Sequence, residues 1–507
     1  PRWTLHCRMS GKSVRGRDFF SSFRQSKGCP MGKWIRFLDR PEMRLRMLIS
    51  FLVVLSFFLH FRGEKCIPSE GAGGDGSIYA EMIRVIHTNQ PDARFDDHRL
   101  SRFSPCWCIA KSMKFFRIAP TTPNIVQFMN LWNWAIILLG IWAALEIGKG
   151  LCLSTDGKSL LICALFINFA YLKMSPFYPV LFDTTGATIG LWMFVFYLDR
   201  RLTLLVACSG VGILFWPTTT LLAVPLITLY PFRPTLPNIS TPSVTSRRMG
   251  NYLALAPVGL FGVFVCFLLS QESLWKKMDG EAASLYAFAV RQSELLWLTI
   301  PALGLTTVAG IAILAWGLPE PLRLFRSWKF ALHTLLVVGL LAVTGFVGQR
   351  IRTHYSSGSD LFGAKIYFEQ LCYFCQVRPF NALVDHIAYV GPILLLGVYF
   401  WRSTARLANA SGLAIPGMLL IALAFSNDVE SRRVLQLLMI LTPMIVKAVD
   451  EHGSSRRVGW WFFLTALLYS KAWMPLNIGD PAKMLPRFPD RYFWNFGPWT
   501  PHLPFYT

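Results

Sequence analysis

Charge is scarce in this chain. Only 15% of its 507 residues are Asp, Glu, Lys or Arg, where a soluble domain carries about 25%. That shortage excludes an ordinary soluble enzyme. Acidic side chains are the scarcer sign, 28 against 50 basic, which leaves a formal charge of +22. Histidine is thin as well: nine are dispersed along the chain, with no two at metal-ligand spacing. Eleven cysteines never form two matched pairs at finger spacing, which argues against a zinc module. Cys106-Trp-Cys108 and Cys372-Tyr-Phe-Cys375 leave a disulfide open. The chain also has no Ser-His-Asp elbow, no phosphate-cradling glycine loop and no ATP-binding module.

What is abundant is apolar length. Hydrophobic residues make up 53% of the chain, and many stand in runs near the ~20 residues that cross a bilayer as a helix. The expected fold is all-α: a polytopic transmembrane helical bundle of about 11–13 spans. A basic segment, 1–42, precedes it; of this, 1–30 has no clear pattern and reads as sequence upstream of a start at Met9, Met31, Met43 or Met47. The transmembrane domain covers 43–475, with extracytoplasmic loops at 62–122 and 349–382. An aromatic, proline-rich tail, 476–507, suits a membrane interface.

Spans are expected near 47–61, 126–147, 159–175, 184–198, 203–216, 218–231, 251–270, 294–317, 330–348, 384–401, 412–426, 434–449 and 459–475. The fifth and sixth break at Phe215-Trp216-Pro217-Thr218; they read as two spans, and one bent span, the alternative, would invert every later loop and weaken the charge bias. With the amino end cytoplasmic, inner segments hold 27 basic and 9 acidic residues, and outer ones 23 and 19. The basic excess is therefore the charge bias of a membrane topology, not a nucleic-acid footprint.

The outer face collects most of the carboxylates. Gly73-Gly74-Asp75-Gly76 opens an amphipathic helix with Tyr79, Met82, Ile83 and Ile86 on one face. Asp75 is a carboxylate whose small neighbours would let a ligand approach, and it is equally a favoured helix cap. Burial beside apolar surface would raise its pKa and make it a better base. Downstream, Arg99 and Arg102 can grip a phosphate in bidentate fashion. Asp183 sits at the mouth of the fourth span, where an ionisable group leans functional and capping competes. Arg350 and Arg352 enter the second long loop. Glu430, Arg432 and Arg433 crowd a tight turn between two late spans, and pairing among themselves is the alternative.

The layout resembles the GT-C superfamily of integral-membrane glycosyltransferases. The resemblance is carried by Gly74-Asp75-Gly76-Ser77-Ile78-Tyr79 after the first span, by Arg99 to Pro105, and by Glu430-Ser431-Arg432-Arg433 entering a span with Pro443. It implies amphipathic helices in the first outer loop and a polyprenyl-phosphate sugar as donor. The acceptor would be an extracytoplasmic glycan, lipid or protein. Asp75, with Glu430 and Asp183 as further carboxylates, would be catalytic. Tyr79, Arg99, Arg102, Arg350, Arg352, Arg432 and Arg433 would bind substrate. A paired acidic motif after the first span is missing, which leaves a divalent metal ion open. A bacterial inner membrane with an extracytoplasmic active face is the expected location. A secondary transporter, a lipid-linked glycan flippase and a non-catalytic scaffold of polysaccharide assembly are the competing readings.

Overall fold

The computed structural model describes residues 40–66, 68–90, 94–230, 328–358, 381–425 and 431–475. The expected spans at 251–270 and 294–317, the basic amino-terminal segment to residue 39, most of the 349–382 loop, Glu430 and the tail from 476 lie outside them. Among the described residues there is no strand, only an isolated bridge between Phe95 and Ser356. The chain is helical, as its composition requires.

Helix α1, Pro41–Arg62, starts on a proline at its first position and stops at Gly63. Lys65 then folds back onto the carbonyls of His60 (2.6 Å) and Pro176 (2.8 Å). Two elements of the first loop follow: α2, Gly74–Thr88, closed by Asn89 in the left-handed region, and the short α3, Asp97–Leu100, capped by Asp96. Helix α4, Phe103–Phe115, leads to α5, Thr122–Gly150. Helix α6, Thr155–Phe166, runs through Asn168 and a π-turn at Ala170–Met174 to a last turn at Ser175–Phe177. Asn168 fills the break by bonding the Leu165 carbonyl and the Tyr171 amide, and the two pieces bend by 53°. Then come α7, Asp183–Leu198, α8, Leu202–Phe215, and α9, Thr219–Thr228. The described carboxyl half contains α10, Trp328–Tyr355, α11, Asn381–Val390, α12, Ile393–Tyr399, and α13, Trp401–Ala410. Helices α14, Ala414–Phe425, α15, Ser431–Glu451, and α16, Ser455–Tyr469, complete it.

Three of these, α1, α5 and α10, are long and apolar enough to cross a membrane, and the bent α6 unit makes a fourth. Several others are short. The expected tenth span, 384–401, is divided between α11 and α12 at Gly391-Pro392. There the glycine turns to φ +92°, and Pro392 has no N–H to continue the ladder.

The fifth and sixth apolar segments are two helices, and their direction can be read from their ends. Trp216 lies against Gly186 in the first turns of α7, whereas Tyr230, past α9, meets Tyr197 near the end of α7 at 6.1 Å. Helix α9 therefore runs with α7, and α8 runs against both. Gly186 is required here because an added Cβ would stand 2.8 Å from the Trp216 ring.

Buried polar contacts fix the long helix α15 in this stack. Gln436 donates to the Gly186 carbonyl (2.5 Å) and to Thr219 Oγ1 (2.9 Å), and accepts from Thr218 Oγ1 (3.0 Å). One side chain thus ties α15 to α7 and α9. Gln436→Leu should lower stability by about 1–3 kcal/mol, because it leaves buried polar groups without partners. Thermal unfolding in detergent would read this as a fall in Tm. An unchanged Tm would show that the network carries no stability.

The helices alternate between two ends. At one, Cys66 N–H donates to the Phe177 carbonyl and Phe95 N–H to the Tyr355 carbonyl, both at 2.8 Å. At the other, Arg44 pairs with Asp156 at 2.8 Å, Asp450 accepts from Ser154, and Tyr197 donates to the Ser411 carbonyl. Helix α15, about 31 Å long by its 21 residues, reaches from the first end to the second.

Candidate functional site

The first turn of α2 is pressed onto the segment that precedes α7. Gly73 adopts φ +74°, and a Cβ there would fall within the Tyr178 ring. Gly76 N–H points at Tyr178 Oη, 3.4 Å away. Gly73 and Gly76 thus make room for the protein's own Tyr178 and Val180. Asp75 is not the cap either: Gly73 holds that position without a side-chain bond. Asp75 stands in the first turn, where a carboxylate favours the helix dipole, and reaches outward.

Two arginines meet it. Arg99 Nη2 lies 3.2 Å from one carboxylate oxygen, and Arg432 Nη2 lies 3.5 Å from the other. Arg99 is held in turn by Asp96, which accepts its backbone N–H at 3.0 Å and its Nη1 at 2.5 Å. Arg432 arrives from the first turn of α15, 357 residues along the chain. The Asp75 side chain keeps 36% of its surface open, so a ligand can still reach it.

Arg102 forms the inner wall and is buried, with 9% exposed. Its Nη1 donates to Tyr79 Oη at 2.5 Å and lies 3.3 Å from His98 Nε2. Its guanidinium stacks over Trp216 at 4.4 Å. No carboxylate bonds to it directly among the described residues, and its buried Nε has no partner there. The Tyr79 hydroxyl accepts from Arg102, so its own proton remains to be donated. Among the described residues the cluster carries excess positive charge: three guanidiniums stand against the carboxylates of Asp75 and Asp96.

The electrostatics of Asp75 reverse the sequence expectation. Burial pushes its pKa up, but Arg432, then Arg99, then Arg102 outweigh burial and hold it below the ordinary carboxylate range. Asp75 is therefore a carboxylate held ionised, and a weaker base than a carboxyl buried in apolar surroundings. Tyr79 moves the other way: burial raises its pKa despite the Arg102 charge, which keeps the phenol neutral.

The structure gathers Asp75, Tyr79, Arg99, Arg102 and Arg432 in one place, sets Asp183 behind Tyr178, and leaves Arg350 and Arg352 outside the cluster. Asp183 is buried on the first turn of α7, in a small space shared with Ser175, Tyr178 and Tyr389. Arg350 is exposed and stacks over Phe346 at 5.1 Å. Arg352 approaches Asp97 at 3.9 Å, and Ser356 donates to the same carboxylate at 2.5 Å. These contacts tie α10 to α3 without entering the Asp75 cluster. Glu430 and the Arg433 side chain lie outside the described residues. Trp216 is the site residue that the sequence reading missed. Its one signal was an aromatic residue placed at the Pro217 break.

Among the described residues no group of three His, Cys, Asp or Glu gathers around a metal position. At Asp75 both oxygens face guanidiniums, a donor set that does not fit a divalent cation. No family model matches this chain, and no curated protein or solved structure is significantly similar to it.

Proposed function

We propose that the protein is a membrane glycosyltransferase that moves a sugar from a polyprenyl-phosphate donor to an extracytoplasmic acceptor, with the Asp75 cluster as its active site. The supporting observation is the convergence of Arg99, Arg102 and Arg432 on Asp75 and Tyr79. Three guanidiniums around one partly open carboxylate suit a phosphate monoester or diester beside a group that must lose a proton.

The chain's residues divide the chemistry as follows. Arg102, with Arg99 and Arg432, binds the donor phosphate, and Tyr79 donates its free proton to a phosphate oxygen. The acceptor hydroxyl attacks the anomeric carbon, the new C–O bond forms, and the bond to the lipid phosphate breaks with its electron pair on the phosphate. The hydroxyl proton passes to Asp75. Before donor binds, the arginines depress Asp75 and make it a poor base. A phosphate that draws Arg99 and Arg432 toward itself relieves that depression, so Asp75 gains basicity only in the loaded complex.

The remaining topology belongs to the same proposal. The cluster end would be extracytoplasmic, the Arg44 end cytoplasmic, and the short helices α8, α9 and α11 to α14 would complete the spans. A bacterial inner membrane suits this arrangement. At the cluster end, Phe115 and Phe116 are exposed beside Lys111, Lys114 and Arg117, six residues before α5 begins. Aromatic and cationic side chains together suit a headgroup layer.

Arg432→Ala tests the division of roles. Transfer should fall about 10²-fold, since a charge that stabilises the leaving phosphate is lost. The acid limb of the pH–rate profile should also move to higher pH, because Arg432 is the largest charge holding Asp75 down. Initial rates with a polyprenyl-phosphate sugar panel across pH would show both. An unshifted acid limb would separate Asp75 from the proton transfer.

A further inference from the structure

A second site lies at the opposite end of the bundle. Helices α1 and α16 both pack on α6, and between them runs a groove of about 390 Å³, within the range of ligand pockets, about 300–1,000 Å³. Each helix lines it with one face over two turns. Arg44, Leu48 and Phe51 come from α1, and Asp156, Leu160 and Cys163 from α6. Ser455, Gly459 and Phe463 come from α16. Such i, i+3/i+4, i+7 stripes normally interdigitate; here they leave space. Gly459 is one reason, since a Cβ added to it would meet nothing within 4 Å.

The groove is polar at one end and apolar along its length. Its polar end holds the Arg44–Asp156 pair, with side chains 18% and 23% exposed. Arg40, the exposed residue that precedes the first turn of α1, stands four residues before Arg44 and outside the groove's lining. Glu42 is turned toward Thr155 Oγ1, 3.5 Å away. The far end is closed by Phe51 and Phe463, edge to face at 6.0 Å. The rims, Met47 and Trp460, are 48% and 63% exposed on the outside of the bundle, so the groove opens sideways where α1 would face lipid tails.

We infer that this groove holds one bilayer phospholipid, with an acyl chain between α1 and α16 and its phosphate at Arg44. The length of two helical turns, about 11 Å, accepts part of one chain. At the polar end a phosphate would meet the Arg44 guanidinium in exchange with Asp156, and the lateral opening admits a molecule already dissolved in the membrane. This site is separate from the Asp75 cluster and does not depend on the glycosyltransferase reading.

The test uses the full chain in nanodiscs of phosphatidylethanolamine and phosphatidylglycerol carrying a trace of diazirine-tailed phospholipid. Irradiation should label residues 47–51 and 459–463. Native mass spectrometry of the delipidated protein should show one retained phospholipid, held about tenfold more firmly than diacylglycerol, which lacks the phosphate. Gly459→Leu adds a side chain whose Cβ meets no neighbour within 4 Å and should lower that retention at least tenfold, while the melting temperature stays the same or rises. Labels confined to other helices, equal retention by Gly459→Leu, or no preference for phosphate would each overturn the inference. So would displacement of the label by polyprenyl phosphate, which would assign the groove to the donor lipid, or cross-links from the groove to residues 1–39, which would make the chain its own occupant. If Gly459→Leu does not fold, the label map of the unaltered protein decides alone.

Discussion

Under the proposed mechanism, Asp75→Asn should lower kcat about 10²–10⁴-fold, because it removes the group proposed to accept the proton. The same change should tighten donor binding. Asn keeps the shape and an acceptor oxygen but removes the negative charge that faces Arg99 and Arg432, so a donor phosphate no longer competes with a carboxylate for them. A collapsed kcat with an unchanged or lower KM is the expected signature. Radiolabelled sugar transfer in membranes at equal expression would measure it. Full transfer by the variant would remove Asp75 from the chemistry. A kcat and KM that worsen together would make Asp75 a scaffold for the arginines. The stability effect of pH has a defined sign. Because the folded pKa is depressed, the stabilisation from Asp75 is complete above its unfolded value near 3.9. It is lost only as pH falls through the lower folded value, so no Asp75-linked loss is expected between pH 5 and 7.

Gly73→Ala should be the most damaging single methyl group at this end of the bundle. It places a side chain at φ +74° and within the ring of Tyr178. Either the tyrosine or the first turn of α2 must move, and both position Asp75. A cost of about 3–5 kcal/mol is expected, the range of severe overpacking combined with backbone strain. Detergent melting should show a large fall in Tm. The double variant Gly73→Ala/Tyr178→Ala should recover part of it, because removing the ring relieves the clash but not the backbone conformation. No recovery would place the whole cost in the backbone.

These two positions also show how far the sequence could be read. Asp75, Tyr79 and Arg102 were legible because a charged or hydroxyl-bearing side chain beside an apolar stripe stands out locally. The meeting of Arg432 with Asp75 was legible only as one option among arginines at the same end of the bundle. Periodicity places Arg350, Arg352 and Arg432 at a common level but cannot say which turns inward. Arg350 rests on its own helix neighbour Phe346, and Arg352 answers Asp97. The purpose of Gly73 and Gly76 was not legible, since Tyr178 is about a hundred residues away and glycine serves a ligand and a packed ring equally well. The pKa of Asp75 was misjudged for the same reason: burial was visible in the pattern, but the counter-charge of a distant arginine was not. Helical class followed from apolar length, and so did the alternation of the described helices between two ends. Element lengths followed less well, because Gly391-Pro392 and Asn168 interrupt stretches whose composition alone reads as continuous.

The separation between Asp75 and Arg432 has a consequence for biogenesis. A growing chain emerges at about 5–20 residues per second. Asp75, Arg99 and Arg102 are therefore synthesised together, and Arg432, 357 residues after Asp75, follows about 20–70 s later. Throughout that interval the nascent protein carries only part of its charge cluster. The site is completed when α15 is inserted beside α7 and α9, so chemistry at Asp75 would begin only in a chain that has integrated most of its helices. Ribosome-stalled chains ending before residue 431 should accordingly be inserted but silent.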